Sequence, residues 1–207
     1  MYNKDPKNIE KTSFEIIHQE ALEQGIIIEE KLQPIVYRVI HTTADFEYGR
    51  LLECHPDFLE IALQVMKNNP KIYTDTEMII AGVNRPNAKR LGLELCNYVH
   101  EAEIYEIAEK EGITRSMAAT QKAVRDGDID IFACGNAPTS IFQLRDLKEQ
   151  GEKMPKLIIG VPVGFVGAAE SKEVAKELGI PYIVVNGRKG GSTIASAIIN
   201  ALMKLVD

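Results

Sequence analysis

The stretch that decides the fold of this chain is residues 157–172, which read LIIGVPVGFVGAAESK. Its first half is a continuous apolar run, which is typical of a strand covered on both faces in a parallel sheet. Pro162 cannot donate a hydrogen bond to a sheet and glycines follow it, so the strand should end near Val161 and open into a tight loop. A helix should follow from Glu170. This order predicts backbone N–H groups at the carboxyl edge of the sheet, where α/β proteins bind ligands.

Four further segments on either side of this strand have the same apolar character. They predict strands at Lys71–Thr74, Leu93–Val99, Ile129–Cys134 and Pro181–Val185. Amphipathic helices separate them, and three more helices are expected before the first strand, at residues 6–24, within 33–48 and at 56–69. Residues 1–207 are therefore predicted to form a single α/β domain with a five-stranded, mostly parallel sheet and additional N-terminal helices.

Composition excludes several classes of function. The net charge of -6 and the pI near 5.4 argue against a nucleic-acid partner. The longest weakly polar run has 13 residues, short of the roughly 20 that a membrane helix needs. Together with the absence of a basic and apolar leader at Met1, this predicts a soluble cytoplasmic protein without a membrane partner. The three scattered cysteines suit reduced thiols rather than a disulfide framework or a zinc site.

The most informative polar set lies in residues 33–48, where Arg38, His41, Thr42 and Asp45 have the spacing i, i+3, i+4 and i+7. On a helix these four side chains would share one face, opposite an apolar face. A histidine between an arginine and a carboxylate is a candidate general acid or base. The alternative is a histidine that only satisfies local hydrogen bonds. In the preceding helix, Ser13 interrupts the apolar stripe and is either a small residue at a helix crossing or a ligand contact.

Loops after the predicted strands carry a second set of candidates. Residues 187–192 read GRKGGS, combining two cations with paired glycines before a helix. Such a loop suits a carboxylate or phosphate, because backbone amides and the helix dipole add to the cations; a tight turn needing positive φ explains the glycines equally well. Asn136 either orients a ligand or caps a helix. Nucleotide-binding loop patterns and the GxSxG elbow of hydrolases do not occur.

Taken together, these motifs resemble the precorrin-8 methylmutase family, including its cobalt-precorrin-8 form. The resemblance spans about residues 9–205. The motifs that carry it are IxxxSF at 9–14, RVIHTTADF at 38–46, TRS at 114–116, GNAPT at 135–139, GVPVGFVGAAESK at 160–172 and GRKGGS at 187–192.

That resemblance implies a flavodoxin-like three-layer sandwich, a homodimer, and an isomerase of cobalamin (corrin ring) biosynthesis. The reaction would move a methyl group from C-11 to C-12 of a corrinoid tetrapyrrole substrate. His41 would be the catalytic acid and base. The implied substrate-binding residues are Ser13, Arg38, Thr42, Arg115, Ser116, Asn136, Arg188, Gly190, Gly191 and Ser192. No cofactor and no protein-bound metal are implied, since any cobalt belongs to the substrate.

The sequence leaves two other functions open. One is a flavodoxin-like module that binds a corrinoid or another polyanion without turning it over. The other is a small hydrolase using His41 and Asp45. A methyl shift suits the residue inventory because it requires a well-placed proton, and because Arg and Lys side chains on an acidic protein suit a substrate with several carboxylates.

Overall fold

A mixed sheet organises the computed structural model of the protein, which describes residues 5–206. Its strands are β1 (Leu52–Cys54), β2 (Lys71–Thr74), β3 (Glu94–Cys96), β4 (Ile131–Cys134), β5 (Leu157–Gly160) and β6 (Tyr182–Val185). They lie in the order β1-β6-β5-β4-β2-β3. Strands β2 to β6 are mutually parallel, whereas β1 pairs antiparallel with β6.

The five parallel strands have the flavodoxin order. Numbered among themselves along the chain, they are arranged 2-1-3-4-5, and the strand order reverses between β2 and β4. The expected flavodoxin-like, mostly parallel sheet is confirmed, but the prediction of five strands is wrong by one. The missed strand, β1, has three residues and depends on pairing with β6, more than 100 residues later.

Helices cover both faces of the sheet. Their bounds are α1 (Pro6–Glu23), α2 (Gln33–Thr43), α3 (Tyr48–Leu51), α4 (Phe58–Met66), α5 (Glu77–Gly82), α6 (Arg85–Arg90), α7 (Ala102–Glu111), α8 (Arg115–Arg125), α9 (Pro138–Glu149), α10 (Ala168–Glu177) and α11 (Ser192–Leu205), with a 3₁₀ turn at Glu30–Leu32. The three helices expected before the first predicted strand are α1, α2 and α4. Within residues 5–206, no helix has the length and apolarity needed to cross a membrane.

Two apolar cores lie on opposite faces of the sheet. Side chains of the central strands alternate between them: Ile159 of β5 joins the core beneath α2, α4 and α11, while Ile158 joins the core beneath α7, α8 and α9. Both side chains are completely buried. Burying an aliphatic side chain of this size contributes about 1.5–3 kcal/mol. This two-sided burial is why the strand sequence is apolar throughout.

Candidate active site

Helix α2 presents a polar face that carries His41. Pro34 lies in the first turn, and α2 packs against α11, with Ile35, Val36, Tyr37, Val39 and Ile40 on its buried face. Arg38, His41 and Thr42 project from the other face, as their spacing predicts. The hydroxyl of Thr42 donates to the carbonyl of Arg38 at 2.8 Å. Packing against α11 therefore fixes which way these three side chains point.

The prediction that Asp45 shares this face is wrong. The helix ends before it, and Ala44 adopts a left-handed φ of 53° that redirects the chain. The carboxylate of Asp45 accepts a hydrogen bond from Lys189, on the loop after β6. Glu47 accepts from the same ammonium group at 2.6 Å. Asp45 therefore links the end of α2 to the β6 loop and is not the partner of His41.

The imidazole of His41 is accessible to solvent on one side and packed on the other. Its ring meets Phe14 edge-on, with centroids 5.6 Å apart. Partial burial lowers the pKa of His41 below its usual 6.5, and the charge of Arg38 acts in the same direction, while Glu10 opposes both. The surroundings of His41 therefore favour the neutral imidazole over the imidazolium, so that its protonated form gives up a proton more readily.

A charge cluster next to His41 joins three helices. Glu10 of α1 accepts hydrogen bonds from Arg38 of α2 and from Lys204 of α11, the latter at 2.7 and 2.9 Å. The guanidinium of Arg38 also lies 4.7 Å from the ring centroid of Phe14. The bond from Lys204, and then that from Arg38, lowers the pKa of Glu10 to about 2. Two cations share one carboxylate, which leaves a net positive charge beside His41.

Grooves open on the two sides of α2. An open groove of about 420 Å³ is lined by Ser13, Ile16, Ile17, Glu20, Ile40, His41, Ala44 and Phe46. It is mainly apolar, and Ser13 and His41 line the same groove. A more polar groove of about 340 Å³ contains Arg38, Thr42 and Lys204 together with Ser196 and Asn200 of α11. His41 thus borders an apolar surface, and Arg38, one helical turn before it, lines the more polar groove.

At the point where the strand order reverses, the loop after β4 is held by Asp75, a residue that the sequence analysis did not select. The buried carboxylate accepts hydrogen bonds from the backbone N–H groups of Gly135, Asn136 and Ala137 at 2.7–2.9 Å. Asp75 therefore fixes the loop that carries the exposed Asn136. The sequence signal that could have revealed Asp75 is its position directly after β2, at the sheet edge where α/β proteins bind ligands.

The loop after β6 packs against the β4 loop. A Cβ on Gly135 would lie 2.7 Å from the Cα of Ser192, so only glycine permits this approach. The hydroxyl of Ser192 is 2.8 Å from that of Thr76. Arg188 is exposed, and its guanidinium carbon lies 5.5 Å from the ring centroid of Phe165. Of the two cations predicted to attract an anion, Arg188 points toward solvent, while Lys189 is engaged by acidic side chains.

Arg115 and Ser116 also lie at the carboxyl edge, but in the helix layer opposite α2. Thr114 caps α8 by accepting from the N–H of Met117 at 3.2 Å. The guanidinium of Arg115 donates to the hydroxyl of Tyr105 at 2.6 Å. The structure therefore brings Ser13, Arg38, His41 and Thr42 together and ties Gly190–Ser192 to them through Lys189. Arg115 and Ser116 are separated from that group by the sheet.

Fold and site define a class of protein: a flavodoxin-like α/β protein with an accessible histidine and cations near the carboxyl edge of its sheet. In the residues that the structure describes, no three His, Cys, Asp or Glu side chains form a candidate metal site.

Comparison with known proteins identifies the family. The model of the Precorrin-8X methylmutase family matches residues 8–205, and the chain belongs to this family of isomerases of cobalamin biosynthesis, which are intramolecular transferases. A "Cobalt-precorrin-8 methylmutase" of Priestia megaterium is 40% identical over 98% of this chain and 89% of its own length. The one of Leptospira interrogans is 39% identical over 96% and 93%.

A solved structure is similar as well. The precorrin-8x methyl mutase of Thermus thermophilus superposes with a TM-score of 0.87 at 37% identity, covering 97% of this chain and 96% of that one. The similarity extends over both helix layers and the sheet, so the flavodoxin-like expectation and the family resemblance are both confirmed.

Proposed function

We propose that this protein moves a methyl group from C-11 to C-12 of precorrin-8 or cobalt-precorrin-8, giving hydrogenobyrinate or cobyrinate. The observation that carries the proposal is the position of His41, which borders an apolar groove on one side and lies one turn from Arg38 on the other. The apolar groove suits the face of a macrocycle. The cations suit its acetate and propionate side chains.

His41 acts as both acid and base in this mechanism. Protonation of the conjugated macrocycle at a ring nitrogen near the migrating methyl group makes the electron shift favourable. The methyl group then moves with its bonding electrons, and the proton returns to His41. The lowered pKa of His41 makes its protonated form a stronger acid than an ordinary imidazolium, which favours the first transfer.

Arginine side chains bind the substrate carboxylates in our proposal. Arg38 and Arg188 lie on the two elements that Lys189 joins, and Arg115 lies on the far helix layer. A charge-assisted hydrogen bond to a desolvated carboxylate contributes about 1.5–3 kcal/mol. Ser13, Thr42, Ser116, Asn136, Gly190, Gly191 and Ser192 complete the proposed substrate contacts. The shift needs neither a resident metal nor a cofactor, and cobalt, where present, enters with the substrate.

We further propose a cytoplasmic homodimer. Large apolar side chains of α1 and the segment after it remain exposed in the single chain, including Leu22 at 57% and Ile27 at 93%. Covering them with a second copy would remove apolar surface from water. Sedimentation should give a dimer at micromolar concentration, and a stable monomer would refute the assembly.

The test of the activity is incubation of the purified protein with precorrin-8, with cobalt-precorrin-8 in parallel, while absorption spectra are recorded. Turnover should produce the spectral change of the rearranged ring conjugation in at least one of the two. Binding without any such change would support a corrinoid-binding module instead. A hydrolase using His41 and Asp45 is disfavoured because Asp45 bonds to Lys189.

A further inference from the structure

A buried lysine with no role in the mechanism above lies beneath the loop after β6. Lys172, in the first turns of α10, has no exposed surface. Its ammonium group donates to two backbone carbonyls, those of Gly187 at 2.7 Å and Lys189 at 2.6 Å. Burial lowers the pKa of Lys172 to about 8. Burying an amine costs free energy. Both of these hydrogen bonds go to the loop after β6.

The two carbonyls stand on either side of Arg188. Both carbonyls accept from the ammonium nitrogen of Lys172, so the backbone is held in place on each side of Arg188. The carbonyl of Arg188 itself accepts from the N–H of Gly164 at 3.2 Å. One residue further on, the side chain of Lys189 reaches Asp45 at the end of α2. The loop therefore connects the buried lysine to the helix that carries His41.

We propose that Lys172 is the positioning residue that holds Arg188 and its loop in the shape that binds the substrate. The carboxylate-binding part of this proposal rests on the proposed function, whereas the loop-holding part does not. Farther along, the loop has another restraint, since the N–H of Gly191 donates to the carbonyl of Val161 at 2.8 Å. Loss of the Lys172 ammonium should therefore loosen residues 187–189 and leave the start of α11 in place.

The test compares Lys172→Met, which keeps the length and apolar stem of the side chain but removes its donors, with Lys148→Met. Lys148 also donates to a backbone carbonyl, that of Leu178, but at the far end of α10. In Lys172→Met, KM for the macrocycle should rise about ten- to a hundredfold with kcat within about threefold of wild type, because binding and not proton transfer is affected. Lys148→Met should leave both constants unchanged.

Hydrogen exchange supplies a second readout that needs no turnover. Amides of residues 187–190 should exchange at least about tenfold faster in Lys172→Met, with the sheet amides unchanged. In Lys172→Ala, added n-propylammonium replaces the missing atoms and should restore both KM and slow exchange; it should do nothing for Lys172→Met, which has no cavity.

Three results would overturn the proposal. The first is a wild-type KM and wild-type loop exchange in Lys172→Met, and the second is a rise in KM matched by an equal fall in kcat and by faster exchange of the sheet amides. The third is that neither Lys172→Met nor Lys172→Arg, which keeps the positive charge, folds. If the wild-type protein does not turn over precorrin-8 but loop exchange responds as expected, the proposed function fails and the loop-holding role stands.

Discussion

At the scale of single residues, His41 is surrounded by charges of both signs. Arg38 and Lys204 disfavour its protonated form, and Glu10, held between those two cations, favours it. Burial against Phe14 is the largest influence and also lowers the pKa. The sequence suggested Asp45 as the acidic neighbour of His41, but Glu10, 31 positions before His41, is the carboxylate that acts on it. The proton affinity of His41 therefore depends on three helices.

Two substitutions should shift the pKa of His41 in opposite directions. Glu10→Gln removes the favourable carboxylate and should lower this pKa further below 6.5, whereas Arg38→Gln removes a cation and should raise it. The Hε1 resonance of His41, assigned by its loss in His41→Ala, reports both values during a pH titration. Lys153→Gln, at the opposite edge of the sheet, is the control and should cause no shift. Shifts of the same sign in both variants would contradict the assignment of these neighbours.

Local spacing predicted which side chains share a helix face but not which distant charges meet them. The i, i+3, i+4 pattern correctly grouped Arg38, His41 and Thr42, because a helix repeats every 3.6 residues. It extended the helix past Ala44, where a left-handed residue ends it. Asp75 escaped notice because its partners lie about 60 residues away. Such contacts are set by the strand order, which a single sequence does not specify.

At the scale of elements, the loops at the carboxyl edge pack closely enough that glycine is required by contact as well as by φ. A Cβ on Gly190 would collide with the carbonyl of Val161 and lie 2.8 Å from that of Pro162. Gly187 has a φ of 75° but no atom within 4 Å of such a Cβ. At Gly187 a side chain would therefore meet backbone strain alone, whereas at Gly190 it would also collide with neighbouring backbone atoms.

Replacing these glycines by alanine should therefore have unequal costs. Gly187→Ala should lower the free energy of unfolding by about 1 kcal/mol through backbone strain alone. Gly190→Ala should cost roughly 1–3 kcal/mol beyond that, because the β5 and β6 loops must move apart. Urea unfolding measures both. Equal costs would mean that the close approach at Gly190 is relieved without penalty.

The elements that the sequence analysis missed are short ones. Strand β1 has three residues, α3 four and α6 six, too few for a hydrophobic period to emerge. By contrast, the buried strands were predicted to within a few residues, since two-sided burial imposes an uninterrupted apolar run.

At the scale of the whole molecule, ion pairs of Glu10 connect the N-terminal helix α1 to two helices that pack on the sheet. It joins α1 to α2 and α11 through Arg38 and Lys204. Because the pKa of Glu10 is lowered from 4.5 to about 2, the carboxylate stabilises the fold above pH 4.5, and this contribution is lost as the pH falls through 2.

The stability difference between wild type and Glu10→Gln should accordingly depend on pH. Urea midpoints should differ by a constant amount above pH 4.5, and the difference should shrink as the pH falls toward 2. Glu20→Gln, an exposed change on the same helix, should show no such trend. A difference for Glu10→Gln that does not change between pH 6 and pH 2 would contradict the charge linkage of the three helices.

The measurement that tests the central claim most directly is single turnover of precorrin-8 by His41→Ala, followed by absorption under conditions where chemistry limits the rate. Removal of a positioned acid and base typically costs 10²–10⁴-fold, so the variant should fold, bind the macrocycle within a few-fold of wild type and rearrange it at least roughly a hundredfold more slowly. The control is His55→Ala. The backbone N–H of His55 donates to the carbonyl of Tyr182 at the amino edge of the sheet, and this variant should retain the wild-type rate. His41→Ala turning over within a few-fold of wild type would contradict histidine catalysis.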